Sequence, residues 1–315
     1  MKIVLLGQKT IGDDVDLSRF YELGDFEVHG YAQDSDTEKY AKDADVLIVN
    51  KTPINEETIG TASHLRLVCV TATGTDNLDK DYLQRRGIAW RNVAGYSTES
   101  VAELTFGMFF YLWQHLPYYD HYVKGGSYVN DVMFTHFANT FREMSGKKWG
   151  IIGLGTIGHR VAEIAAAFGM EVGYYSTSGI SREEKYPRLS FEELLGTSDV
   201  VSIHCPLSEQ TEGLIDERAL SLMKRDAILL NLSRGPVVNE AALCDALLKN
   251  KIAAAGLDVL TQEPMAEDNP LLGIQDSGKL IITPHIGWAA YETRVRLMDI
   301  IFDQVREFIT GQESH

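Results

Sequence analysis

Trp149-Gly150-Ile151-Ile152 runs into Gly153-Leu154-Gly155-Thr156-Ile157-Gly158, and an alanine-rich stretch, Arg160–Phe168, follows. The order is a short apolar strand, a G-x-G-x-x-G turn and a helix. Each glycine answers a separate demand: a tight turn, close approach of backbone to a pyrophosphate, and close packing of helix on strand. The helix start would then offer unpaired N–H groups and a partial positive charge to phosphate oxygens. A glycine-rich turn without a ligand is the plainer alternative, and the flanking strand and helix weigh against it. The stretch predicts a dinucleotide-binding βαβ unit.

Downstream the alternation continues. Short apolar runs at Glu171–Tyr175, Val200–Ile203, Ile228–Leu232, Ala253–Leu257 and Leu280–Ile282, separated by helical stretches, predict a doubly wound parallel sheet. Upstream, Ile3–Leu6, Val46–Val49 and Leu67–Val70 are apolar throughout, as strands buried on both faces are. Helical stretches alternate with them at Thr37–Ala44 and, after the third, at Leu78–Arg86, which is stopped by Gly87. The region from Ser100 to about Gly125 reads as one long apolar helix, and Tyr291–Phe308 as a final one. Tyr118, Tyr119, Tyr122, Tyr128 and then Met133–Phe141 suit either a dimer contact or ordinary core packing.

Length and composition agree with two domains. The chain has 315 residues, and a domain takes roughly 150. With 44% hydrophobic and 23% charged residues, disorder is excluded. A formal charge of −16 disfavours nucleic acid and anionic membrane surfaces as partners. An anionic small substrate would need a local cation. Cys69, Cys205 and Cys244 are too widely spaced for a disulfide framework or a zinc site, so no metal is expected. The apolar run at Met1–Gly7 is too short for a signal-peptide core. Val101–Trp113 is interrupted by Glu103 and falls short of the ~20 residues that span a bilayer. A soluble, cytoplasmic protein is the expectation.

Coenzyme choice turns on the end of the second strand. An NAD-selective site normally has Asp or Glu there to hold the ribose hydroxyls. Here Ser176 stands in that place, followed by Thr177 and Ser178, with no carboxylate until Glu183. The hydroxyls and Arg182 would suit a 2′-phosphate, which favours NADP(H) or dual use. Alternatively, the hydroxyls serve the ribose directly and NAD(H) is used.

Three later strands end in residues with chemistry to offer: Arg234 in Asn231-Leu232-Ser233-Arg234-Gly235, Glu263 after Gly256-Leu257-Asp258-Val259, and His285 in Thr283-Pro284-His285-Ile286-Gly287-Trp288. Ligands of open α/β sheets bind outside the carboxyl ends of the strands, so all three could meet in one crevice. Alone, each has a plain reading as surface charge, loop residue or satisfied histidine. As a set they fit reduction of a 2-keto acid. Arg234 offers a planar fork to carboxylate and carbonyl oxygens. His285 can give or take the proton, and Glu263 beside it would favour the imidazolium. A nicotinamide would carry the hydride.

Over nearly its whole length the sequence resembles the D-isomer-specific 2-hydroxyacid dehydrogenase family. The motifs are Thr73-Gly74-Thr75-Asp76-Asn77, Ser97-Thr98-Glu99-Ser100-Val101-Ala102-Glu103, the glycine turn, His204-Cys205-Pro206-Leu207, and the three segments just quoted. The resemblance implies that Arg234, Glu263 and His285 form the catalytic triad and that backbone near Thr73 and Gly74 holds the substrate carboxylate. It implies that Thr98, Gly153, Leu154, Gly155, Thr156, Ile157, Gly158, Ser176, Cys205, Pro206, Thr211, Ser233, Asp258 and Gly287 line the NAD(P)(H) site. It implies an α/β fold of two doubly wound parallel-sheet domains. A Rossmann coenzyme domain, 99–287, is inserted into a discontinuous flavodoxin-like substrate domain, 1–98 plus 288–315, and the enzyme is a homodimer.

Trp288 after His-Ile-Gly resembles the glycerate dehydrogenase (hydroxypyruvate reductase) branch, where it would narrow the pocket for hydroxypyruvate or glyoxylate; a packing residue is the plain alternative. Glu263 argues against formate dehydrogenases, which lack the Glu-His pair. Only thirty residues follow His285, so the regulatory domain of many phosphoglycerate dehydrogenases is not expected. Two rival readings stand beside this one: an NAD(H)-sensing corepressor of the same fold, and a D-2-hydroxyacid dehydrogenase for an apolar substrate such as D-lactate. A sensor has no need of the three polar residues together.

Overall fold

Parallel pairing runs through both sheets of this computed structural model, which describes residues 1–30, 34–180 and 184–311. The first part of the chain forms β1 (Lys2–Leu6), β2 (Asp25–His29), α1 (Asp34–Ala41), β3 (Val46–Val49), α2 (Glu56–Ile59), β4 (Leu67–Val70), α3 (Lys80–Arg86) and β5 (Ala89–Arg91). Then come α4 (Thr98–Trp113), α5 (Leu116–Lys124), β6 (Lys148–Ile152), α6 (Thr156–Ala167), β7 (Glu171–Tyr175), α7 (Phe191–Thr197) and β8 (Val200–Ile203). The remainder is α8 (Glu217–Leu222), β9 (Ile228–Asn231), α9 (Glu240–Leu248), β10 (Ala254–Leu257), β11 (Leu280–Ile282) and α10 (Tyr291–Thr310). Two compact units result: Met1–Ser97 with Ala289–His315, and Thr98–Trp288.

In the first unit the strand order is β2-β1-β3-β4-β5, the flavodoxin-like arrangement. The central strands β3 and β4 are buried at every residue, as their unbroken apolar sequence requires. Neither β2 nor β5 was expected. Both are edge strands, exposed or half-buried at four of five and at all three residues, so neither carries an apolar run. α10 returns to this unit, where Arg91 donates to the Gln304 carbonyl (3.0 Å) and Arg294 to that of Ile11 (2.7 Å).

The second unit orders its strands β11-β10-β9-β8-β6-β7. A single parallel bridge between Tyr174 and Arg188 adds a vestigial strand outside β7. With it the order becomes that of the doubly wound dinucleotide fold, in which the first strand lies between the second and fourth. Successive side chains alternate between two cores. Trp149, Ile151, Leu230 and the inner faces of α4 and α6 form one, and Ile152, Ile203, Leu229 and Leu257 belong to the other. Trp149, fully buried, satisfies its indole N–H on Ser202 Oγ at 2.8 Å.

The long helix expected over 100–125 is two helices. His115 adopts a left-handed backbone (φ 51°) and Pro117 occupies the first turn of α5, which ends α4 at Trp113. Beyond α5, Val132, Phe134 and Phe137 are 98%, 91% and 81% exposed. Core packing is therefore not their role within this chain. Among the described residues no helix is long and apolar enough to cross a membrane.

Candidate active site

At the carboxyl edge of the second sheet, the glycine turn is built as its sequence demands. Gly153 has φ +90°, and a Cβ there would lie 2.7 Å from the Cys205 backbone nitrogen. At Gly158 a Cβ would meet the Gly153 carbonyl oxygen at 2.3 Å, so this glycine sets how closely α6 packs on β6. Gly155 faces open space. It precedes Thr156 and Ile157 at the start of α6, and no side chain caps this helix. Free backbone donors beside an open glycine are the cradle a pyrophosphate requires.

A cleft of about 440 Å³ opens from this turn, within the range of small-molecule sites. Gly153, Leu154, Gly155, Ser176, Cys205 and Pro206 line it, as expected. Burial pushes the Cys205 thiol up to about 11, which keeps it neutral and apolar. The cleft is also lined by residues to which the sequence assigns no role, among them His204, Ile180 and Glu184. His204 follows β8 with both ring nitrogens buried and without a partner among the described residues, and burial holds it near 3. Ile180 and Glu184 enter from the chain beyond β7. Thr211 is buried under the cleft wall, donating to the Pro206 carbonyl at 2.7 Å and accepting from the Ser208 N–H at 2.8 Å. Arg182 lies outside the described residues. The open glycine, the uncapped helix and the orphaned imidazole fit a nicotinamide dinucleotide.

Farther along the same edge, strand register aligns Leu257 with Asn231 and with Ile282, so the turns after β9, β10 and β11 emerge side by side. In the first, buried Asn231 holds both sides of the turn. Its Oδ1 accepts from Ser233 N–H (3.1 Å) and Oγ (3.0 Å), and its Nδ2 donates to the Arg234 carbonyl (2.9 Å). Arg234, half-buried, donates from Nη1 to the Ser233 carbonyl at 2.9 Å. A Cβ on Gly235 would fall 1.9 Å from the Leu260 carbonyl carbon, so the Arg234 turn presses on the turn that carries Glu263.

Glu263 divides its oxygens. Oε1 accepts from the Leu260 N–H at 3.1 Å and Oε2 lies 2.8 Å from His285 Nδ1. A carboxylate only accepts, so His285 carries its proton on Nδ1 and Nε2 is left for chemistry. Both side chains keep about a quarter to a third of their surface exposed (26% and 30%). His285 has a left-handed backbone (φ 55°), unfavourable for a residue with a Cβ. Asp258 secures it. Its carboxylate accepts from Thr283 Oγ1 (2.5 Å), the Ile286 N–H (2.8 Å) and the Gly287 N–H (2.7 Å), while its carbonyl accepts from the His285 N–H (2.9 Å). Burial raises the Asp258 carboxyl above its usual range, opposed by those bonds. A Cβ on Gly287 would sit 2.8 Å from Asp258 Oδ2, so glycine lets this clamp close. Trp288 follows, half-buried, and Thr98 opens α4.

The structure thus places Arg234, Glu263 and His285 on neighbouring turns of one sheet edge. Thr73 and Gly74 belong to the other unit, past the end of β4, where Thr73 Oγ1 donates to the Val93 carbonyl at 2.9 Å.

Residues 106–287 match the family described as D-isomer specific 2-hydroxyacid dehydrogenase, NAD binding domain. A hydroxypyruvate reductase of Blautia hydrogenotrophica is 37% identical over 99% of this chain and 98% of its own. Among solved structures, a D-lactate dehydrogenase from Aquifex aeolicus, complexed with NAD and lactic acid, superimposes with a TM-score of 0.86 at 30% identity, covering 99% of this chain and 96% of that one. An acyclic imino acid reductase, Bsp5, in complex with NADPH and D-Arg, also has a TM-score of 0.86 at 30% identity, over 99% and 98% of the two chains.

Proposed function

Because the chain belongs to the D-isomer-specific 2-hydroxyacid dehydrogenase family, and is an oxidoreductase acting on CH–OH groups with a nicotinamide coenzyme, we propose that it interconverts a small 2-keto acid, hydroxypyruvate or glyoxylate, and the D-2-hydroxy acid. The observation that carries this is the 2.8 Å contact of His285 Nδ1 with Glu263, on turns beside that of Arg234. A bound nicotinamide supplies or accepts the hydride.

Arg234 pairs with the substrate carboxylate and polarises the carbonyl, supplying positive charge that a chain of net −16 otherwise lacks. His285 Nε2 gives a proton to the developing alkoxide in reduction and takes it back in oxidation. Glu263 is a positioning residue: it holds the ring tautomer and stabilises the charged imidazole. Trp288, just past the clamped turn, narrows the space beside His285 and favours a small substrate.

Gly153, Leu154, Gly155 and the first turn of α6 hold the pyrophosphate, with Ser176, Cys205 and Pro206 along the adenosine and Ser233, Asp258 and Gly287 on the way to the triad. Both NADH and NADPH are accepted. Ser176, where an NAD-selective sheet has a carboxylate, removes a charge that rejects a 2′-phosphate and favours NADP(H) at the strand end. The exposed aromatic segment around Phe134 and Phe137 is the contact surface of a homodimer, which sedimentation at twice the protomer mass of 35.1 kDa would verify.

The direct test is a panel of initial rates for hydroxypyruvate, glyoxylate and pyruvate, each with NADH and NADPH. Turnover highest with hydroxypyruvate or glyoxylate supports the proposal. Pyruvate as the best substrate would refute its substrate part, and nucleotide binding without any turnover would refute it altogether.

A further inference from the structure

The strand-end position that usually selects the coenzyme is a serine, yet the cleft is not free of carboxylate. Glu184 lines it together with Leu154, Gly155, Ser176, Thr177 and Ser178. Its side chain is only 14% exposed and lies 3.3 Å from His159 Nε2, on the second turn of α6. That brace ties the chain returning from β7 to the helix whose start would meet the pyrophosphate, and it keeps the carboxylate on the adenosine wall of the cleft.

We infer that Glu184 sets the choice between NADH and NADPH, doing from eight residues farther along the chain what an acidic strand-end residue does elsewhere. A carboxylate here accepts the ribose hydroxyls of NADH and repels a phosphate monoester of nearly two negative charges. Two of the three hydroxyls that would favour a 2′-phosphate, those of Ser176 and Ser178, are engaged with their own turn. Ser176 Oγ reaches Ser178 Oγ and the Ile180 carbonyl, both at 3.4 Å, and Ser178 Oγ accepts from the Ile180 N–H at 3.3 Å. Arg188, the cation bonded to this turn among the described residues, directs Nη1 at the Gly179 carbonyl (3.3 Å) and is solvent-exposed, where its charge is screened. Glu184 therefore opposes the NADP(H) preference expected from Ser176 alone.

The inference rests on reading this cleft as the coenzyme site, and the test separates the two. Dissociation constants of NADH and NADPH, from nicotinamide fluorescence without any keto acid, are compared for the natural protein, Glu184→Gln and Glu184→Lys. The ratio Kd(NADPH)/Kd(NADH) should fall at least about tenfold in Glu184→Gln and further in Glu184→Lys. Such a graded response to charge is not produced by general damage to the fold. A ratio that is unchanged or rises, with both coenzymes still binding, overturns the role of Glu184 and leaves the coenzyme site standing. Failure of the natural protein to bind either coenzyme overturns both.

Discussion

At the β9–β11 end of the second sheet, Arg234 and His285 each stand three residues past a strand, and a buried side chain anchors each turn: Asn231 for the first, Asp258 for the second. At the β6–β7 end, the glycine turn is equally close to its strand, but the cleft wall beside it is made by a serine-rich turn and by Glu184 from the returning chain. The first arrangement fixes positions to within a hydrogen bond because the sheet itself carries them. The second leaves identity to side chains that a few substitutions can exchange. On the proposed reading, reaction chemistry would sit where the backbone is most constrained, and coenzyme preference where it is least.

Arg234→Gln probes the constrained end and should have the largest effect of this series, a fall in kcat/KM for the keto acid of roughly 10²–10³, the scale of removing one preorganised donor. NADH affinity should hold, because the cradle at Gly153–Ile157 is separate. A loss confined to coenzyme binding would place Arg234 in the wrong half of the site. Glu263→Gln should lower kcat by on the order of tenfold to a hundredfold with KM little changed, since Gln can hold the Leu260 N–H but not the charged imidazole. Full activity in that variant would remove Glu263 from the mechanism. The smallest effect belongs to the other end. Ser176→Asp should lower kcat/KM with NADPH relative to NADH by only about two- to fivefold, because Glu184 already places one negative charge on that wall. A shift of a hundredfold would return the selecting role to the strand end, and an unchanged ratio would show that position 176 takes no part.

The same contrast governs what could be read from the sequence. Six strands of the second unit and three of the first announce themselves as mainly apolar runs, since burial on both faces leaves few polar positions, with Ser202 in β8 and Asn231 in β9 as buried exceptions. β2 and β5 do not, because an edge strand keeps one side wet. The break at His115 depends on a single left-handed residue that no periodicity reveals. In the candidate site, the positions of Arg234 and His285 are legible because each closely follows a strand, while Glu263 lies six residues beyond the end of β10. The supports are not: Asn231 and Asp258 act mainly through backbone groups of their neighbours, and the family resemblance places Asp258 only on the wall of the coenzyme site. Glu184 is not legible in the sequence for a related reason. Its place in the cleft depends on the route of the chain back from β7 to the bridge at Arg188, which no local pattern encodes.

Replacing the imidazole tests the role of His285 most directly. In His285→Ala, kcat for hydroxypyruvate reduction should fall by roughly 10²–10⁴, the worth of a positioned general acid, with the dissociation constant of the coenzyme unchanged. Turnover within a fewfold of the natural protein, coenzyme still bound, would contradict that role.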